Sequence, residues 1–175
     1  FRPCSRALYS AEVDKEGNVY ACCSAWQKFP MGNVLSEGLY GAWHSFYAKV
    51  LRLSALNGTL CFCNSDTCQN AQASSEEYPY RKMNPTPWPY ELNVAIDDMC
   101  NLCCRFCRTC PPKVTAEKAE RRTLIAEALR EDLKNISDLY FAGNGEVFLS
   151  STYRELIENV SPNQNLNLVT NGQLY

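Results

Sequence analysis

Cysteine constrains this chain more than any other residue. There are 11 among 175 residues, and they are bunched: three lie between Cys61 and Cys68 and five between Cys100 and Cys110. An odd number cannot pair completely within one chain, and disulfide staples are spread out rather than crowded into one short loop. Structural thiols buried in a core have no reason to crowd either. No charged-then-apolar leader opens the sequence. The crowding therefore reads as ligation of metal or an iron–sulfur cluster in a reducing compartment, and places the protein in the cytoplasm. A secreted disulfide protein is the reading it argues against. The chain begins at Phe1 rather than Met, so its natural start is expected upstream.

Composition narrows the partners. Lys and Arg number 17 against 19 Asp and Glu, a net charge of −2, without the basic excess of a nucleic-acid-binding surface. No apolar run is long enough for a membrane helix, so no membrane partner is expected. Hydrophobic residues are 46% of the chain, enough for a packed core.

Residues 1–77 hold six cysteines and end in a polar stretch, Asn70 to Glu77. Pro79, Pro85, Pro87 and Pro89 make 78–90 an extended linker, since proline breaks a helix interior. In the first segment, Ala7–Val13 and Val19–Cys22 flank Asp14-Lys15-Glu16-Gly17-Asn18, the pattern of a hairpin. Gly32-Asn33 is a turn, and Gly41–Leu56 has the apolar spacing of one helix.

Residues 91–175 alternate. Strands are expected at Glu91–Ile96, Leu139–Ala142 and Leu166–Val169. Between them lie a helix from Thr115, its N-cap, to Lys134, with Leu124, Ile125, Ala128, Leu129 and Leu133 on one side, and a second helix at Thr152–Val160. Strand–helix alternation implies parallel strands with right-handed crossovers, and working loops at the strands' carboxyl ends.

The loop after the first of these strands reads Cys100-Asn-Leu-Cys-Cys104-Arg-Phe-Cys107. Its cysteines present three thiolates, soft donors suited to iron–sulfur clusters or zinc. Cys103 and Cys110 are nearby candidates for a fourth ligand. With Phe106 before the last cysteine, the segment resembles the cluster loop of the radical S-adenosylmethionine superfamily. That resemblance implies that Cys100, Cys104 and Cys107 hold a catalytic 4Fe–4S cluster whose open iron chelates S-adenosylmethionine, with Cys103 and Cys110 left as non-ligating thiols. It implies a partial TIM-like (β/α) barrel, of which this chain carries the first three βα units. Phe141-Ala-Gly143-Asn144-Gly145-Glu146 resembles the family's Gly-Gly-Glu segment, with Asn144 in place of one glycine and Val147 where proline is common. Thr170-Asn171-Gly172 resembles the polar segment ending the third strand. Phe106, Gly143, Gly145, Glu146, Thr170 and Asn171 are thereby the expected cofactor-binding residues. No side chain is singled out as an acid, base or nucleophile.

In the first segment, Cys4, Tyr20-Ala-Cys22-Cys23-Ser-Ala-Trp26, Pro30-Met-Gly-Asn33, Trp43 and Leu60-Cys61-Phe-Cys63 through Cys68 together resemble a SPASM or twitch domain. This is a small α+β auxiliary iron–sulfur domain of radical S-adenosylmethionine enzymes that modify peptides. The resemblance implies an auxiliary 4Fe–4S cluster on Cys4, Cys22, Cys63 and Cys68, with Cys23 and Cys61 as possible substitutes; four thiolates would equally hold zinc.

The function so implied is reductive cleavage of S-adenosylmethionine to a 5′-deoxyadenosyl radical that takes hydrogen from a peptide or protein. The electron donor would be a flavodoxin or ferredoxin. A non-catalytic iron–sulfur or zinc protein is the alternative. The chain is expected to be a fragment of such an enzyme, with an unpaired sheet edge that favours association. His44, Trp26 and Trp43 read as packing residues, and Glu117–Lys134 as a solvated face with pairs such as Glu117 with Arg121.

Overall fold

A computed structural model describes residues 3–64, 66–69, 86–107, 114–143 and 145–174. The expected linker up to residue 85, the polar stretch from Asn70, Cys110 and Asn144 lie outside the described residues.

The hairpin forms where the turn chemistry placed it. Strand β1 (Ser10–Asp14) pairs antiparallel with β2 (Asn18–Tyr20). The Asp14 carboxylate accepts the backbone N–H groups of Glu16 and Asn18, each at 2.9 Å, and Gly17 takes the left-handed conformation that closes the turn (φ 81°). Ala7 and Leu8, expected to open the first strand, instead lie buried in a 3-10 turn, Arg6–Leu8. Its Ala7 carbonyl accepts from Arg52 Nε at 3.1 Å, which fixes the turn against a helix rather than a strand.

Gly32–Asn33 is a short third strand, β3, as well as a helix start: the Asn33 side chain caps α1 (Val34–His44) by accepting from Leu35 N at 2.9 Å. The single helix expected over Gly41–Leu56 is two. Ser45 ends α1, and its hydroxyl both caps α2 (Phe46–Leu56) through Ala48 N and donates to Met31 O at 2.6 Å. Apolar spacing continues across the break because both helices bury a face in the same core. His44 is thus the last residue of α1 rather than mid-helix, and its Nε2 lies 2.8 Å from Pro87 O. Trp43 is fully buried and donates to Thr86 O, which docks the end of the expected linker on α1.

The second segment supplies β4 (Glu91–Ala95), α3 (Ala116–Arg130), β5 (Asp138–Phe141), α4 (Ser151–Glu158) and β6 (Asn165–Leu168). Thr115 caps α3 as expected, through Lys118 N. The helix ends sooner than expected, and Leu133–Asn135 forms a separate 3-10 turn. Ile125, Ala126, Leu129 and Leu133 face the core, whereas Leu124 stays exposed. Arg121 pairs with Glu117 at 2.8 Å, and also with Glu16 of the hairpin turn.

All six strands share one sheet, in the order β3-β2-β1-β4-β5-β6. The pairs β1–β4, β4–β5 and β5–β6 are parallel, and the two pairs at the β3 end are antiparallel. The fold is therefore a mixed, mostly parallel α/β sheet with four α-helices among the described residues. It is open, with edges at β3 and β6.

Its two faces differ. Ala11, Val13, Val19, Leu92, Val94, Leu139 and Phe141 point into one hydrophobic core shared with α1, α3 and α4. The alternate residues, Ser10, Glu12, Glu91, Asn93 and Tyr140, line the opposite face. No described helix is long and apolar enough to cross a membrane.

Candidate iron–sulfur and cofactor sites

Three loops meet at the carboxyl ends of β4, β5 and β6. The first is rooted by Asp97, nearly fully buried, which accepts from Met99 N at 2.9 Å and from Arg122 of α3 at 2.7 Å. Its own N–H donates to the hydroxyl of Tyr153 on α4 at 3.0 Å, and burial pushes the Tyr153 phenol up so that it stays protonated. Two helices thus grip the base of the Cys100–Cys107 loop.

The loop after β5 lies directly on the first. Glu146 N donates to Met99 O at 2.6 Å. A side chain at Gly145 would place its Cβ 2.6 Å from Asp97 O and 3.0 Å from Met99 O, so only glycine permits this approach. Replacing Gly145 with alanine must push the two loops apart. The expected cost is about 1–3 kcal/mol, as for other overpacked sites, read as a lower urea midpoint at unchanged slope.

Glu146 is 1% exposed and ties in the third loop. Its carboxylate accepts from Thr170 Oγ1 and Asn171 N, each at 2.7 Å, and from Phe148 N at 3.2 Å. Burial pushes this carboxyl up, but the three hydrogen bonds outweigh it and hold it below the usual glutamate range. In this arrangement the charge faces its own loops and holds Thr170 and Asn171 in place.

Between the loops lies a cleft of about 220 Å³ lined by Cys100, Cys104, Cys107, Gly143, Gly145, Glu146, Thr170 and Asn171. The Cys100 sulfur receives Leu102 N at 3.4 Å and Asn171 Nδ2 at 3.8 Å, the kind of N–H contact that stabilises a ligating thiolate. Phe106 projects wholly into solvent and does not line the cleft. Cys103 is exposed and also outside it.

The second site forms between the Arg6–Leu8 3-10 turn, the hairpin and α2. Cys4, Cys22, Cys23, Cys63 and Cys68 surround one small apolar pocket with Trp26, Gln27 and Leu51. Backbone hydrogen bonds fix the segments: Cys4 N to Ala55 O at 2.9 Å, Asn64 N to Trp26 O at 2.7 Å, and Cys68 N to Asn64 O at 3.1 Å. Gln27 and Cys63 form a β-bridge. Cys61 is exposed and turned away from the pocket, so the structure separates it from Cys63.

Burial pushes the thiols of Cys4, Cys22 and Cys23 up, and that of Cys63 up to about 11. Only at Cys22 does a cation, Arg6, oppose the effect. Several thiolates in an apolar pocket need positive charge from elsewhere, which a bound metal centre supplies. Among the described residues no three His, Cys, Asp or Glu side chains converge closely enough for a single metal ion. The donor set, several soft thiolates around one pocket, suits an iron–sulfur cluster or zinc. No disulfide joins the described cysteines.

Sequence reasoning missed Asp97, Arg122 and Tyr153 beneath the first loop, and Arg6 and Glu12 beside the second site. The family comparison agrees with the second site: residues 4–69 match the SPASM domain, an iron–sulfur cluster-binding domain. The N-terminal segment is thus an iron–sulfur cluster-binding domain of a kind typical of radical S-adenosylmethionine enzymes. No curated protein and no solved structure matches the chain.

Proposed function

We propose that the chain belongs to a radical S-adenosylmethionine enzyme acting on a peptide or protein, and that residues 91–174 contribute the first three βα units of its partial barrel. The observation that carries this reading is the convergence of Cys100, Cys104 and Cys107 with Gly143, Glu146, Thr170 and Asn171 on one cleft, beside an N-terminal cluster-binding domain. The fit rests on the donor set: Cys100, Cys104 and Cys107 offer three soft thiolates to one cleft, which the exposed Cys103 does not line.

A 4Fe–4S cluster on Cys100, Cys104 and Cys107 would supply the electron that cleaves S-adenosylmethionine to a 5′-deoxyadenosyl radical, which takes hydrogen from the substrate. The chain's own groups prepare that chemistry. Asp97, Arg122 and Tyr153 hold the root of the cysteine loop. Gly143 and Gly145 let the β5 loop approach, exposing backbone polar groups to the cleft. Glu146 fixes Thr170 and Asn171 so that their side chains face the same cleft, and Asn171 steadies the Cys100 sulfur. Cys4, Cys22, Cys63 and Cys68 would hold the auxiliary cluster. A flavodoxin or ferredoxin is the electron donor this reading implies.

Anaerobic reconstitution of the intact protein tests it. Iron and sulfide at both sites, and 5′-deoxyadenosine formed from S-adenosylmethionine under reductant, are the expected results. Zinc at both sites with no deoxyadenosine would make the protein a scaffold instead.

A further inference from the structure

A cavity of about 440 Å³ opens on the polar face of the sheet, bordered by Arg6, Glu12, Cys22, Glu91, Asn93 and Tyr140. It spans from the auxiliary site to Ala142, the neighbour of Gly143 in the cofactor cleft. It exists because β1 of the N-terminal domain pairs in parallel with β4, which sets Glu12 opposite Asn93.

The charges on this cavity do not balance. Glu12 is 7% exposed, and its two oxygens accept only neutral donors: Ser24 N at 3.0 Å and Asn93 Nδ2 at 2.8 Å. Among the described residues no lysine, arginine or histidine forms an ion pair with it. The one guanidinium on the cavity, Arg6, is bound to Glu91 at 2.9 Å and to Ser10 Oγ at 3.2 Å. Tyr140 adds no positive charge; burial, then Glu91 and Asp138, push its phenol up, leaving a neutral hydroxyl. A buried carboxylate with no cation is unfavourable, and a cavity with this field concentrates cations.

We propose that this cavity receives the ammonium or guanidinium side chain of a peptide substrate, with Glu12 as its counter-ion. The identification of the ligand as a peptide rests on the function proposed above; the charge selectivity rests on the cavity alone. Such a side chain lies between the two iron–sulfur sites and holds the adjoining peptide beside the cofactor cleft.

The test is calorimetric titration of the intact, anaerobically reconstituted protein, without S-adenosylmethionine or reductant. The probes are N-acetyl-Gly-Lys-Gly-amide and its norleucine counterpart. The lysine peptide is expected to bind at least about tenfold more tightly than the norleucine peptide, the discrimination a charge-assisted contact provides. Glu12→Gln, which keeps an acceptor for Ser24 N, is expected to remove that preference. Equal affinity for the two peptides, absence of binding by the lysine peptide, or an unchanged preference in Glu12→Gln would each overturn the proposal. The comparison of the two peptides on the unaltered protein stands even if the variant does not fold. Deoxyadenosine formation is measured separately on the same preparation. Lysine-selective binding without it contradicts the radical chemistry and supports this site; deoxyadenosine formation with no peptide preference contradicts this site alone.

Discussion

Replacing Cys104 with alanine is expected to abolish 5′-deoxyadenosine formation by at least about a thousandfold, equivalent to roughly 4 kcal/mol of barrier, while the N-terminal cluster site stays loaded. The asymmetry follows from the geometry. Cys104 is exposed at the cleft that Cys100 and Cys107 share, and its removal leaves two of the three thiolates there. It touches neither the hydrophobic core nor the apolar pocket around Cys4, Cys22, Cys63 and Cys68. Iron analysis and the absorbance of the remaining cluster, read beside product formation, separate the two sites. Loss of iron from both sites would show that the loops do not fold as independent ligating units.

The second large effect distinguishes two cysteines with a single residue, Phe62, between them. Cys63→Ala is expected to lose the iron of the N-terminal site, about half of the total, whereas Cys61→Ala retains it. Cys63 lines the pocket, and burial holds its thiol at about 11 unless a metal takes the charge; Cys61 is exposed and points away. Because metal ligation and folding are coupled in small ligand-built domains, Cys63→Ala is also expected to melt at lower temperature than Cys61→Ala. Anaerobic iron quantitation with thermal denaturation monitored by circular dichroism checks both statements. Equal iron loss in the two variants would mean that the ligand is not set by which thiol faces the pocket.

Local chemistry was the legible part of this fold. The Asp14–Asn18 turn, the Thr115 cap and the order of strands and helices in the second segment can each be read from short stretches, because each depends on neighbours in sequence. The meeting of the three loops after β4, β5 and β6 follows from strand–helix alternation, whereas Cys4, Cys22, Cys63 and Cys68 are grouped only through the family resemblance, and Cys23 lines the same pocket. What escaped depends on partners distant in sequence. Apolar spacing runs unbroken from Gly41 to Leu56, yet Ser45 divides it, since its hydroxyl finds Met31 O across the fold. Leu124 fits a helical stripe but is exposed, because α3 turns Ile125, Ala126 and Leu129 inward.

The parallel pairing of β1 with β4 is the most consequential of these. It joins the cluster-binding domain to the second segment in one sheet, and no local pattern announces it. From it come the Arg6–Glu91 ion pair and the Glu12–Asn93 contact, and so the cavity between the sites. Arg122 likewise looked like one more charge on a solvated helix, but it reaches inward to Asp97 under the cysteine loop.

The function proposed above requires that three thiolates, and not four, hold a cluster at the cleft after β4. Electron–nuclear double resonance on the reduced, intact protein, with S-adenosylmethionine carrying nitrogen-15 at its amino group, addresses that iron directly. A nitrogen-15 coupling that disappears in Cys104→Ala is the expected result. A cluster at Cys100, Cys104 and Cys107 whose signal shows no such coupling, and whose fourth iron is held by a cysteine of the chain, would contradict it.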